Sequence, residues 1–276
     1  MGVLDGQVAF ISGIARGQGR SHALRLAADG ARIIGFDLCG QIDTVPFEMT
    51  SDADMKETVR LVQAAGGEIV AVQGDVREQA DVDAALAEGI EAFGGVDIVL
   101  ANAGIIHDYK KTWLIEDDAF RNTVDVNLVG VWHTVKAAVP AMIEQGRGGS
   151  IVMTGSGASL MGIPNLAGYV ATKHAVLGLM KTLAKELGQH KIRVNAVMPG
   201  NCNTPMFDNE GIHKLYAGSQ EPTHELFLSR AAAMSPMRQP YVEPEDISET
   251  IAWLVSPAAR FISGTAVPVD GAGSTP

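Results

Sequence analysis

Val8-Ala9-Phe10-Ile11-Ser12-Gly13-Ile14-Ala15-Arg16-Gly17-Gln18-Gly19-Arg20 is the stretch that decides the fold. Val8–Ser12 is a short apolar run of the kind that forms a strand buried on both faces. It runs into Gly13, Gly17 and Gly19, after which Arg20–Asp29 reads as an amphipathic helix ending near Gly30. Glycines at this spacing let a backbone turn tightly and approach a pyrophosphate. The helix that follows offers its free N–H groups and the positive end of its dipole to that phosphate. An ordinary turn is the plain alternative, but a cluster that follows a strand, opens a helix and starts near the N-terminus favours a dinucleotide. The loop residues Gly13, Arg16, Gly17, Gln18 and Gly19 are therefore expected to hold a cofactor.

Outward from this loop, apolar runs alternate with amphipathic ones. Strands are predicted at Arg32–Asp37, Ile69–Gln73, Val96–Ala101, Ile151–Thr154, Ile192–Val197 and near Ala266–Val269. Helices are predicted at Asp52–Ala65, Asp81–Phe93, Phe120–Glu144 (with Pro140 near its end), Tyr169–Gln189 and Pro244–Val255. Strands separated by helices require parallel pairing, so the fold class is α/β: a single-domain Rossmann-like doubly wound parallel sheet of about seven strands, helices on both faces, over residues 1–276. Two stretches look irregular, Cys39–Ser51 and Asn201–Tyr241, and residues 201–241 are expected to form a substrate lid within the domain.

Composition limits the partners. The 276 residues carry a net charge of −11, with 46% hydrophobic and 19% charged residues. This is a globular balance, and the negative surface repels nucleic acid. Cys39 and Cys202 are too few for a disulfide framework and fit a reducing compartment. No apolar run reaches the roughly 20 residues of a membrane span, and the N-terminus lacks the basic-then-apolar order of a secretory signal. A cytoplasmic location without membrane contact is expected. No His, Cys and carboxylate cluster has ligand spacing, so no metal is expected.

Asp37 ends the second strand, where a carboxylate accepts ribose hydroxyls and repels the extra phosphate of NADP. Arg16 argues the other way, but an arginine swings into solvent more cheaply than a fixed carboxylate tolerates a phosphate. Leu38, which follows, is not basic, and NAD is the expected cofactor. Asp75-Val76 follows the third strand, with an adenine contact or a simple turn as its two readings. Asn102-Ala103-Gly104 follows the fourth, where small residues allow close passage beside a cofactor, although Asn102 serves equally as a structural hydrogen-bonder.

At the other end, Tyr169 and Lys173 share a helix face four residues apart. A free tyrosine is a poor base at neutral pH, and a nearby ammonium lowers its pKa. Ser156 ends the fifth strand thirteen positions before Tyr169. Asn127 interrupts an apolar helix face and is placed to hold a water linking Lys173 to solvent.

In this order, Gly13-x3-Gly17-x-Gly19, Asn102-Ala103-Gly104, Asn127, Ser156, Tyr169-x3-Lys173 and Pro199-Gly200 resemble the short-chain dehydrogenase/reductase superfamily across nearly the whole chain. The resemblance implies a catalytic set of Asn127, Ser156, Tyr169 and Lys173. It also implies that Lys173 binds the nicotinamide ribose, and that Pro199, Gly200 and Thr204 hold the carboxamide. Gly13–His22 and Phe36-Asp37-Leu38-Cys39 are similar to the actinobacterial carveol-dehydrogenase-like, mycofactocin-coupled group, which carries an insertion after the second strand, as Cys39–Ser51 does here. Ile14 stands where that group usually has Ala. The group's tight hold on NAD implies an external redox partner that re-oxidises NADH in place.

The expected reaction is hydride transfer between a secondary alcohol and NAD, with Tyr169 as general base and Ser156 polarising the oxygen. Met206, Phe207, Leu215, Tyr216, Leu226, Phe227, Met234 and Met237, with Leu160, Met161 and Ile163, suit a cyclic or terpenoid alcohol such as carveol, or simply pack the lid. A non-catalytic NAD-binding sensor or assembly subunit is the rival from another class; an isomerase or dehydratase is weaker. Ser156 lacks the Gly-x-Ser-x-Gly context of a hydrolase. Apolar residues on several sides of two helices, among them Val131, Trp132, Val135, Leu177, Met180 and Leu183, point to a homotetramer. The loop Cys39–Ser51, too apolar for free solvation, is expected to fold over the adenosine half of the cofactor, with a surface excursion as the alternative.

Overall fold

The structure, a computed structural model, describes residues 2–275. Its sheet runs β3-β2-β1-β4-β5-β6-β7, with every pairing parallel. The strands are β1 (Val8–Ser12), β2 (Arg32–Asp37), β3 (Ile69–Gln73), β4 (Ile98–Ala101), β5 (Gly149–Thr154), β6 (Ile192–Pro199) and β7 (Ala266–Val269). Order reverses between β1 and β4, opening a crevice at their carboxyl ends where such sheets bind ligands.

The helices form two layers. On one face lie α1 (Gly17–Ala28), α2 (Asp52–Ala64) and α9 (Pro244–Val255), whose Ala23, Leu26, Met55, Val62, Ile247 and Ile251 share a core with Ile11 and Ile33. On the other lie α3 (Gln79–Phe93), α5 (Gly130–Gln145) and α6 (Ala167–Leu187), packing Val82, Leu86, Val131, Val135, Val176 and Met180 against Phe10, Phe36 and Val99. Burial of both faces is why the strands read as continuous apolar runs. At the α1–α9 seam, His22 is fully buried, and its Nδ1 lies 2.8 Å from the Ser248 hydroxyl.

Three sequence expectations need correction. The helix expected over Phe120–Glu144 starts earlier, as α4 (Asp117–Val124), and passes through a π-helical turn at Asp125–Val129 before α5. Asn127 sits in that turn. The stretch Asn201–Tyr241 is not irregular throughout: it contains α7 (Glu210–Ala217) and α8 (His224–Met234), capped by the side chains of Asn209 and Thr223. Strand β4 begins at Ile98 rather than Val96, and just before it the Asp97 carboxylate accepts from the Val8 amide and from Arg147. Boundaries elsewhere shift by no more than a few residues. The joined helix Asp117–Gln145 reaches the length and mean hydropathy (1.2) of a membrane span, although no uninterrupted apolar run does. Here it packs against the sheet, α3 and α6.

Candidate active site

The carboxyl ends of the strands open into one cavity of about 1110 Å³. That exceeds the roughly 1000 Å³ at the upper end of small-molecule sites, so it has room for a dinucleotide and a second ligand. Every residue expected to bind cofactor lines it, from Gly13 to Thr204.

The glycine loop has the geometry the sequence required. Gly13 and Gly17 have φ of +72° and +59°, a region that costs other residues strain. A Cβ on Gly19 would stand 1.9 Å from the Gly13 carbonyl oxygen, and one on Gly13 would stand 2.9 Å from the Ala103 Cα. Helix α1 begins at Gly17 with no side-chain cap and no acidic residue in its first turn, so its leading N–H groups face the cavity uncompensated. Gln18 Oε1 is buried without a hydrogen-bond partner among the described residues. A cradle that only glycine permits and an uncapped helix start fit a bound pyrophosphate.

Asp37 is buried at the end of β2. Its carboxylate accepts from the Ala15 amide (3.0 Å), the Thr50 hydroxyl (2.5 Å) and the Cys39 amide (3.3 Å). These bonds fix it at the cavity wall. Arg16 turns to the insertion, donating to the Glu48 carbonyl at 2.6 Å. Within the insertion, Gln41 donates to the carbonyls of Ile42, Val45 and Phe47 and accepts from the Met49 amide. Ile42 and Val45 are buried in the core, and Ile42, Phe47, Met49 and Thr50 line the cavity beside Asp37 and Leu38.

Asp75 is engaged by Arg77, whose guanidinium reaches both carboxylate oxygens at 2.6–3.0 Å. It reaches the cavity wall with its carboxylate already paired. Asn102 donates to the Ser12 carbonyl (3.1 Å) and accepts from the Thr154 hydroxyl (3.3 Å), tying β1, β4 and β5 together at the mouth of the site.

Ser156, Tyr169 and Lys173 come together in the same cavity. Lys173 is buried and its Nζ stands 5.5 Å from the centre of the Tyr169 ring. Burial lowers the Lys173 pKa to about 8. Tyr169 shifts the other way from the sequence expectation: enclosure of its phenol raises the pKa, and the Ser156 hydroxyl only partly opposes this. Desolvation of the phenolate is the larger of these two causes. Asn127 is fully buried behind the cavity wall. Its amide accepts from the Ile105 N–H and donates to the Ile105 carbonyl, both at 2.8 Å. A Cβ placed on Gly104 would lie 3.4 Å from Asn127 Oδ1 and 3.6 Å from Lys173 Nζ, so these two groups flank the same glycine.

The expected apolar lining divides. Met161, Ile163, Met206, Phe207, Leu215, Tyr216, Met234 and Met237 face the cavity, whereas Phe227 is buried in a separate cluster with Ile212 and Ala231. The sequence reading missed the segment Asp270–Thr275, which also lines the cavity. There Asp270 accepts from the Ser274 amide (2.9 Å) and hydroxyl (2.5 Å), closing a turn; Gly271 and Gly273 were the only signal of it. One group of metal-ligating types meets without ligand spacing in the sequence. Asp208, His213 and His224 place donor atoms within 4.8 Å of one another, a convergence created by loop geometry rather than by spacing.

Comparison with known proteins agrees with this architecture. A family model described as enoyl-(acyl carrier protein) reductase matches residues 13–274. The (−)-trans-carveol dehydrogenase of Rhodococcus erythropolis is 41% identical over 276 residues, covering 100% of this chain and 99% of that protein. The crystal structure of carveol dehydrogenase from Mycobacterium avium in complex with NAD superposes with a TM-score of 0.96 at 43% identity, covering 98% of both chains. That of a short chain dehydrogenase from Mycobacterium paratuberculosis bound to NAD gives 0.91 at 40% identity, covering 100% of both. With its parallel sheet, glycine cradle and Ser156–Tyr169–Lys173 wall, the chain belongs to the short-chain dehydrogenase/reductase family.

Proposed function

We propose that this protein is an NAD-dependent alcohol dehydrogenase that interconverts a small cyclic or terpenoid secondary alcohol, such as carveol, and its ketone. The observation that carries this reading is one cavity with a pyrophosphate cradle and Asp37 at one end, and Ser156, Tyr169 and Lys173 at the other. The relatives named for carveol and crystallised with NAD support both the substrate class and the cofactor.

NAD, when bound, accepts or supplies the hydride at its nicotinamide ring. Gly13, Arg16, Gly17, Gln18 and Gly19 hold the pyrophosphate end, Asp37 and Leu38 the adenosine ribose, and Asp75, Val76, Asn102, Ala103 and Gly104 the wall between. Pro199, Gly200 and Thr204 hold the carboxamide end. Tyr169 and Lys173 serve cofactor and chemistry together.

The substrate oxygen lies between Ser156 Oγ and Tyr169 Oη. Tyr169 exchanges the proton with it, donating toward a ketone and accepting from an alcohol. Ser156 donates to the oxygen as charge develops there. Burial reinforces the protonated phenol, the form needed for reduction. The Lys173 ammonium opposes that bias by favouring phenolate. Asn127, across Gly104 from Lys173, supports a water relay from the ammonium to solvent. Residues 201–241 act as the substrate lid. The protein works as a cytoplasmic homotetramer and passes electrons from bound NADH to an external redox partner.

The test is turnover of a panel of cyclic secondary alcohols, carveol included, with NAD and an external electron acceptor. Tyr169→Phe is expected to lower turnover at least about 100-fold with NAD binding unchanged. NAD binding without turnover of any alcohol in the panel would leave the cofactor-sensor reading instead.

A further inference from the structure

Outside the cavity, three segments converge on one point. Asp208 lies in the loop after β6, His213 is in the first turns of α7, and His224 is the first residue of α8. His213 Nε2 is 2.6 Å from Asp208 Oδ1, and His224 Nε2 is 3.2 Å from Asp208 Oδ2. Both imidazoles thus aim the same ring nitrogen at one carboxylate. Their ring centres are 5.5 Å apart, and Phe227 backs both rings at 4.6 Å and 5.9 Å. Phe227 is itself fully buried, so the imidazoles rest on a fixed apolar floor. His224 is exposed, leaving the fourth direction open to water.

We propose that Asp208, His213 and His224 form a binding site for a divalent transition ion, with Zn²⁺ as the preferred occupant. Two imidazoles and one carboxylate are borderline ligands that select Zn²⁺ and its neighbours over Mg²⁺ or Ca²⁺. Tetrahedral zinc with ligand bonds of about 2.0–2.2 Å sets donors about 3.4 Å apart. The donors already stand within 4.8 Å of one another, so small side-chain rotations seat the ion. The neighbouring cation Lys214 is held by Glu210 at 2.5 Å, and the chain's net charge of −11 favours a cation. Bound metal would fasten α7 and α8 to the loop after β6. Neither histidine lines the active-site cavity, so the ion would stand outside it.

The experiment is calorimetric titration of Zn²⁺ into chelator-treated, dialysed full-length protein, with Co²⁺ absorption as a second readout. One Zn²⁺ per chain is expected to bind at micromolar concentration and to raise the thermal midpoint. Co²⁺ should give the visible bands of a four-coordinate nitrogen–oxygen site. His224→Ala and Asp208→Asn should each weaken zinc binding at least about tenfold. Absence of micromolar binding in the unaltered protein overturns the proposal, whether or not the variants fold. Equal zinc binding in both folded variants also overturns it, because the ion would then sit elsewhere.

Discussion

Lys173 donates from Nζ to the Thr154 carbonyl oxygen at 2.8 Å, so the helix carrying Tyr169 is pinned to the end of β5 by a buried ammonium. The arrangement is expensive. Burial depresses this lysine from 10.5 to about 8, a penalty on the order of 3 kcal/mol at neutral pH.

Lys173→Met is therefore expected to lose turnover while raising the thermal midpoint of the cofactor-free protein at pH 7. The sign follows from proton counting. The folded state releases the lysine proton near pH 8 and the unfolded state near 10.5, so the penalty is full below the first value and fades toward the second. Thermal melts of parent and variant across that window should converge. A variant less stable than the parent at pH 7 would show that the Thr154 bond outweighs the desolvation.

Asp37→Ala should weaken NAD and relax discrimination against NADP, because it removes the only carboxylate at the end of β2. Three hydrogen bonds fix that carboxylate at the cavity wall. Calorimetry with both cofactors checks it, and unchanged selectivity would remove Asp37 as the discriminator. The substitution also frees Thr50 and the Ala15 amide, so Asp37→Asn serves as the milder companion.

The insertion Cys39–Ser51 should slow cofactor release. Arg16 bridges it to the glycine loop, and Ile42 and Phe47 line the cavity. Apolar cover of this kind acts mainly on the off-rate. Shortening it to a tight turn should speed NAD dissociation in stopped flow. Arg16→Ala should do so to a smaller extent. An unchanged rate in a folded variant would reduce the insertion to a packing element.

Association needs a narrower argument than the sequence allowed. Val131, Val135, Leu177 and Met180 are buried within the single chain, so they cannot drive assembly. Trp132 and Ile143 remain 44% and 36% exposed. They stand eleven residues apart on one side of α5, a stripe suited to a second copy of the chain. Light scattering at micromolar concentration is expected to give a tetramer mass, and Trp132→Glu to lower it. A monomer mass for the parent would end this reading.

Legibility from sequence followed physical locality. Strands buried on both faces are uninterrupted apolar runs, and the glycine cradle needs particular residues at particular steps; both could be read directly. The π turn around Asn127 could not, because a one-residue change of hydrogen-bond register leaves the apolar pattern almost intact. Helices α7 and α8 are short and flanked by Gly, Pro and His, which masked them. The direction of the Tyr169 shift is not legible in the sequence, because charge proximity follows from i,i+4 spacing whereas desolvation depends on what the rest of the chain folds over the phenol. The meeting of Asp208 with His213 and His224 depends on two loop conformations and has no spacing signature.

His22 gives the molecule an acid-labile joint. At the α1–α9 seam it is sealed from water, and burial lowers its pKa from 6.5 to about 3. The native state keeps the imidazole neutral, while the unfolded chain takes up a proton below 6.5. Stability is therefore whole above that value and drains away as the medium acidifies toward the lower one. By pH 5 the loss from this one side chain is about 2 kcal/mol. A urea midpoint falling between pH 7 and pH 5, with a smaller fall in His22→Gln, would locate the weakness at this seam. Handling in acidic buffers would then begin to part the two helices that cover the back of the cofactor strands.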